Sequence, residues 1–331
     1  SITIGRNLCH PAPTKRLGDR RRVSRTETGI RSRPPAMTWP LVSRAMLIAQ
    51  ITDCHIVEPG GLMADRVDPA VGLRRAIALI NALDPQPDLV LATGDLVNDG
   101  SSAQYDNLTA ILDAIAAPLL PIPGNHDDRS EIRRCFPRLP VGDPDDRIDF
   151  VVDDYELRLI CLDTTIPGRP DGQVTADQMA WLDHQLAADP DRPTVIVQHH
   201  PPFPSGIPWM DRDCGFTGAQ LEADVVRRYG HVEAIICGHL HRSMHRRFAG
   251  TVASSWSSTA AQLVLDFRDG QPRYTNEPAA VALHRFSDGA LASHHVPVVD
   301  ADRWVPGWAE KKSDSALTHP PPTGFGKPQR W

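Results

Sequence analysis

From Met46 onward, short apolar runs alternate with longer stretches in which apolar positions recur every three or four residues. The runs cover residues 47–51, 89–92, 119–122, 157–162, 194–197 and 234–237. Each has the length of a buried strand bounded by turn-forming residues. The stretches 71–83, 104–116, 176–188 and 218–229 carry a helical period. Thr175 stands where a hydroxyl can accept from the free N–H groups of a first helical turn, so it is expected to cap the helix over 176–188. Strands and helices in alternation predict an α/β layered domain.

Past residue 250 the pattern weakens. Residues 251–259 are rich in serine, short strands are expected around 263–267 and 281–286, and 301–331 is proline-rich with little periodicity. This gives three parts: a leader at 1–45, a core at 46–250, and C-terminal strands with a tail at 251–331, packing on the core or on a partner subunit. No internal repeat is present.

Charge separates the leader from the rest. Ten Lys and Arg face only Asp19 and Glu27 in residues 1–45, so with a net charge of −6 for the whole chain the remainder is acidic. A basic segment without apolar periodicity is expected to be disordered. Its Arg20-Arg21-Arg22 run lacks the apolar stretch of a secretory signal. A natural start at Met37 or Met46 would leave the leader out as non-native sequence. The acidic remainder argues against a stable nucleic-acid partner. No run of about 18 apolar residues occurs, so no membrane span is expected. The 6 cysteines form no C-x-x-C pair, a usage that fits a reducing compartment and a cytoplasmic location.

The chemistry lies in the residues just beyond each strand. Residues 47–51 lead to Asp53 and His55, 89–92 to Asp95, 119–122 to Asn125 and His126, 194–197 to His199 and His200, and 234–237 to His239 and His241. Open α/β sheets place ligand sites at these carboxyl ends. Singly, each signal fits a turn or a hydrogen-bonded structural residue. Five strand ends bearing carboxylate, amide and imidazole donors fit a site for Fe, Mn, Zn or Co better than a thiolate-based structural zinc. On an extended backbone, Asp53 and His55, like His239 and His241, would point to one side. Glycines 94, 124 and 238 would let the chain turn tightly beside them.

Asp53-x-His55, Gly94-Asp95, Gly124-Asn125-His126-Asp127, His199 and Gly238-His239-x-His241 together resemble the full signature of the calcineurin-like metallophosphoesterases, over residues 46–242. Within that superfamily, residues 124–129, Asp163-Thr164, Trp181-Leu182 and 199–202 look like those of bacterial class III cyclic-nucleotide phosphodiesterases and related glycerophosphodiesterases. The resemblance implies a four-layer αββα sandwich with a C-terminal extension and a centre of two divalent or mixed-valence metal ions. One ion would be held by Asp53, His55, Asp95 and His241, the other by Asp95, Asn125, His199 and His239, with Asp95 as bridge. His126 would contact the phosphate and protonate the leaving oxygen. The implied reaction is hydrolysis of small phosphodiesters, cyclic nucleotides or glycerophosphodiesters, by a hydroxide bridging the ions. A homodimer or larger assembly is in keeping with the resemblance.

Two divalent ions, two carboxylates and one hydroxide leave a single positive charge, which a diester monoanion neutralises and a monoester dianion exceeds. Asn98, His200, Phe203 and Met210 are candidate substrate contacts, the last two in a 202–216 loop that also holds Trp209. Phosphomonoesterases and nucleases of the same fold are the alternative readings. A non-catalytic scaffold is less favoured because every expected ligand type is retained. Protein phosphatases usually carry Arg-Gly after the second motif and Glu in the third, and purple acid phosphatases a Tyr ligand. The stretches 96–100 and 125–127 hold neither pattern.

Overall fold

A computed structural model describes residues 45–141 and 147–306. The basic leader up to residue 44, the segment 142–146 and the tail beyond 306 lie outside the described residues. In chain order the first half contains β1 (Met46–Ile51), α1 (Pro69–Asn81), β2 (Leu89–Thr93), α2 (Ser102–Leu112), β3 (Leu119–Ile122), α3 (Arg129–Cys135), β4 (Phe150–Val152) and β5 (Arg158–Leu162). The second half continues with β6 (Gly172–Gln173), α4 (Ala176–Ala188), β7 (Thr194–Gln198), α5 (Pro208–Asp213), β8 (Phe216–Thr217), α6 (Ala219–Val226) and β9 (Val232–Cys237). The last strands are β10 (Met244–Phe248), β11 (Thr251–Ser255), β12 (Gln262–Leu263), β13 (Tyr274–Thr275), β14 (Ala280–Ser287) and β15 (Ala290–Pro297).

Two sheets dominate, with strand orders β15-β14-β1-β2-β3 and β10-β11-β9-β7-β5-β4. The centre of each is parallel, β1-β2-β3 in one and β5-β7-β9-β11 in the other. Parallel strands covered on both faces need mostly apolar side chains, and the buried polar exception in β1, Gln50, donates to Thr93 Oγ1 and Cys237 O. In the second sheet the alternation of side chains separates two cores. Leu159, Cys161, Val195, Val197, Ala234 and Ile236 share a core with Ile48, Leu89 and Leu91 of the first sheet. Ile160, Leu162, Ile196, Ile235 and Cys237 face the other way, onto Leu182 of α4 and Val226 of α6. Leu73 of α1 and Leu108 of α2 join the first sheet's core. Helix, sheet, sheet and helix make the four-layer sandwich.

Local rules set several boundaries. Thr175 caps α4 by accepting from the Gln178 N–H, and Asp68 caps α1 ahead of Pro69. The helix expected over 104–116 starts two residues earlier because Ser101 supplies its cap, and ends at Leu112. That expected over 218–229 runs only Ala219–Val226, since Gly218 is left-handed at φ 93°. The strand expected over 263–267 shrinks to Gln262–Leu263. Beyond it no sheet partner covers the apolar positions, and Leu265 and Phe267 stay exposed at 49% and 68%. Residues after 250 enter both sheets: β11 pairs with β9, and β14 runs antiparallel to β1. The five described cysteines are unpaired, and no described helix is long and apolar enough to cross a membrane.

Glu222 of α6 is completely buried, with Gln198 Nε2 at 3.4 Å from its carboxyl. Burial pushes that carboxyl up to about 8, against a weaker opposite pull from Gln198. Folded protein therefore keeps a proton that the unfolded chain, near the ordinary 4.5, releases. Between those values stability falls as pH rises, by at most about 1.4 kcal/mol per pH unit. Glu222→Gln removes this slope. Thermal melts should give wild type and variant similar Tm near pH 4.5 and a widening advantage for the variant up to pH 8. A difference between the two that does not change with pH overturns the assignment.

Candidate metal centre

Asp53, His55, Asp95, Asn125, His126, His199, His239 and His241 all come from loops just beyond the carboxyl ends of β1, β2, β3, β7 and β9. The side-by-side loops are tied through the backbone: the Asp53 N–H donates to Gly94 O at 3.0 Å and the His55 N–H to Asp95 O at 2.9 Å. One expectation is corrected here. Asp53 and His55, and His239 and His241, are not paired by an extended backbone. All four are left-handed, with φ of 51°, 45°, 72° and 48°, as is Asp95 at 50°. Asp and His tolerate that region better than most residues, but each such position costs energy that the surrounding packing must hold. Two glycines make the crowding feasible. A Cβ on Gly124 would overlap the Asp95 backbone N and carboxylate, and one on Gly238 would overlap the Thr52 hydroxyl and approach the Asp53 carboxylate.

Asp95 Oδ2 lies 3.7 Å from His55 Nε2 and 3.3 Å from His199 Nε2. Its other oxygen accepts from the His126 N–H at 2.9 Å. Asp53 Oδ1 is 3.4 Å from His241 Nε2, and His241 Nε2 is 3.1 Å from His55 Nε2. Asp53 also accepts from the His239 N–H and, at 2.7 Å, from the Thr52 hydroxyl. Donor atoms gather within 4.8 Å of one another in four overlapping sets: Asp53/His55/His241, Asp53/Asp95/His199, His55/Asp95/His126 and His199/His200/His239.

Backbone carbonyls orient the rings. Thr93 O faces His199 Nδ1 at 2.8 Å, Ala261 O faces His241 Nδ1 at 2.6 Å, and Cys214 O faces His239 Nε2 at 2.7 Å. Each carbonyl takes one ring N–H and leaves the other nitrogen as a lone-pair donor. Asp127 holds two of the loops together, accepting from Leu96 N, Gly124 N and the Tyr105 hydroxyl at 3.1, 2.8 and 2.9 Å. The serine-rich stretch also acts here: Ser258 Oγ donates to Asp53 O and Ser255 Oγ to Gly238 O, both at 2.7 Å. Sequence reasoning missed these supports. Asp127 had a signal in its place beside Asn125 and His126, but the carbonyl partners have none.

Charge states follow from burial and neighbours. Burial opposes the Asp95 charge, but His199, His126 and His55 outweigh it and hold the carboxyl well below the usual range. The same contact raises His199 against its own burial. Burial drives His55 far down and His239 to about 3, so both rings are neutral, the form that binds a metal. His126 sits at the exposed rim. Burial of its ring opposes a proton there, yet Asp95 and the Asn98 carbonyl, 2.6 Å from Nδ1, raise it above an ordinary imidazole.

The residues fit a pair of cations. Asn125 Oδ1 is buried with no hydrogen-bond partner among the described residues, and His199 Nε2 has none of good geometry. Two imidazole nitrogens, on His55 and His241, also face each other at 3.1 Å. Unpaired buried acceptors and opposed nitrogens are costly alone and satisfied by a metal. The donor set, carboxylate with amide and imidazole, suits first-row divalent ions.

Among the candidate substrate contacts, Met210 lines the cavity at the centre, together with Trp209. The Asn98 carbonyl meets His126 Nδ1 at 2.6 Å, and the Asn98 side-chain amide donates to Asp99 Oδ1 at 3.0 Å. His200 is fully buried with Nδ1 2.8 Å from Thr164 Oγ1, and its ring lies 4.5 Å from that of His239. Phe203, 7% exposed, packs in the core beneath the second sheet and lines an adjoining cavity with His200, Met210 and His239.

Comparison with known proteins agrees with this geometry. The family model described as calcineurin-like phosphoesterase matches residues 46–243. A glycerophosphodiester phosphodiesterase, GpdQ of Enterobacter lignolyticus, is 32% identical over 246 residues, covering 72% of this chain and 87% of that protein. The 3′,5′-cyclic adenosine monophosphate phosphodiesterase CpdA of Escherichia coli K12 is 30% identical over 233 residues, covering 68% and 81%. A dimetal phosphatase from Danio rerio shares the fold, with a TM-score of 0.54 at 15% identity over 77% of this chain and 99% of its own. The matched stretch contains all five donor-bearing strand ends, and the chain belongs to the calcineurin-like phosphoesterase family.

Proposed function

We propose that the protein is a dinuclear metal-dependent phosphodiesterase acting on small diesters, of the cyclic-nucleotide or glycerophosphodiester type. The observation that carries this reading is Asp95 Oδ2, placed within reach of His55 on one side and His199 on the other. That placement supports Asp95 as the bridge between one ion held with Asp53, His55 and His241 and another held with Asn125, His199 and His239. When bound, two divalent ions would supply Lewis-acid polarisation of the phosphoryl group and activation of water near neutral pH. The relatives named for diester hydrolysis support the substrate class.

The chain's own contribution to the chemistry is His126. Its Nδ1–H is engaged by the Asn98 carbonyl, so Nε2 carries a proton only in the cationic ring. The raised pKa favours that ring, and from the cavity rim Nε2 can pass its proton to the departing oxygen. Asp95 orients the same residue through the His126 N–H.

Purified protein loaded with Mn²⁺, Fe²⁺, Co²⁺ or Zn²⁺ should hydrolyse bis(p-nitrophenyl) phosphate faster than p-nitrophenyl phosphate. Equal or better rates on the monoester would overturn the diester assignment. Metal uptake without turnover of either would favour a scaffold.

A further inference from the structure

The cavity at the metal centre is completed by side chains that hold no metal donor. Trp209 and Met210 come from α5, Leu263 from β12 and Tyr274 from β13. Leu263 and Tyr274 are register partners in the short β12–β13 ribbon. Met210 and Leu263 are 5% and 3% exposed and belong to one core cluster, against which Trp209 packs. Tyr274 is 46% exposed, with its ring centroid 5.6 Å from that of His241. Two rings therefore stand at the mouth on anchored supports, and one of them lies directly against a donor residue.

Charge in this cavity is sparse. Apart from the donor cluster and His126, the charged lining residue is Asp213, which is bound by Arg212 at 2.9 Å. Arg273 lies in the groove beyond Tyr274 and is tied to Asp266; Arg66 also lies in that groove. Outside the centre a polyol would find, among the described lining residues, only the Trp209 indole N–H, the Tyr274 hydroxyl and the Arg212-bound Asp213 as side-chain hydrogen-bond partners. A flat, uncharged ring system would meet two aromatic side chains in the same lining.

We infer that Trp209 and Tyr274 determine specificity, holding the planar, uncharged part of a diester's alcohol so that its phosphate lies on the metal centre. This rests on the phosphodiesterase reading and narrows it from small diesters to aromatic-bearing ones. The relevant physics is base-on-aromatic stacking, worth about tenfold to hundredfold in binding for each partner.

Binding can be read apart from turnover. Metal-loaded full-length protein would be titrated calorimetrically with a nucleoside monophosphate and with glycerol 3-phosphate. Both present the same phosphate, and only one carries a ring. Wild type should bind the nucleotide at least about tenfold tighter. Tyr274→Leu and Trp209→Leu should collapse that ratio towards one while two metals per chain are retained. Tyr274→Phe, which keeps the ring, should restore it to within about threefold of wild type. A wild-type ratio near one, or a ratio unchanged in both leucine variants, overturns the inference. In parallel, kcat/KM would be measured on a nucleoside cyclic monophosphate and on glycerophosphoglycerol, with the leucine variants losing mainly through KM on the first. Failure of wild type to hydrolyse either diester would instead overturn the phosphodiesterase reading, while the binding ratio would still report on the two rings.

Discussion

Asp95→Ala should abolish diester hydrolysis and lower bound metal from two ions per chain towards one or none. Asp95 is the carboxylate that both donor groups share, at 3.7 Å from His55 Nε2 and 3.3 Å from His199 Nε2. It also supplies the negative charge that these rings and His126 surround. Removal leaves the imidazoles of the cluster with Asp53 as the one remaining carboxylate among its donors. A loss of about 10³-fold or more in kcat/KM is expected for the bridge of a two-metal site. Asp95→Asn separates charge from shape, because an amide oxygen can still accept from the His126 N–H. It should fold with near-native stability yet remain at least about 10²-fold impaired, since the charge is missing. Elemental analysis alongside kinetics decides the matter. Two tightly held ions and near-wild-type rates in either variant would show that Asp95 is not the bridge.

His126→Ala should separate substrates by leaving group. A poor leaving alcohol needs a proton as it departs, so its kcat should fall about 10²–10⁴-fold. A p-nitrophenolate leaves without one, and its loss should stay within about tenfold. Equal losses on both would make His126 a phosphate contact and not an acid. The pH profile gives a second readout. A general acid works only while protonated, so wild-type rate on the alkyl ester should fall as pH rises through the His126 pKa. The direction of that pKa is upward from an ordinary imidazole: burial opposes the charge, and Asp95 with the Asn98 carbonyl overcomes it. Cations bound nearby push the other way and bring the limb to lower pH. His126→Gln should lack the descending limb altogether.

The expectations that succeeded were local ones. Runs such as 89–92 and 194–197 match strands Leu89–Thr93 and Thr194–Gln198 because uninterrupted apolar residues of that length have few other ways to be buried. Thr175 caps α4 because a cap depends on three neighbouring residues. The 263–267 expectation failed for the converse reason. Its residues have strand character, but a strand exists only where a partner runs alongside. Phe203 and Met210 both come from the loop after His199, but only packing decides that Met210 lines both cavities beside His239 and Phe203 one of them.

The amino-acid sequence by itself determined the alternation of strands and helices, the donor types and their order at five strand ends, and through them the family. Strand length, hydrophobic period and the chemistry of a side chain are properties of short segments, so they can be read there. Tertiary structure alone decided how the donors converge. Left-handed turns replace the extended pairing at Asp53/His55 and His239/His241, and the carbonyls of Thr93, Cys214 and Ala261 choose which nitrogen each histidine presents. It also carried Tyr274, distant in sequence from Trp209 and Met210, to the edge of the centre. These features depend on contacts between segments far apart in the chain, and such contacts exist only once both sheets have packed.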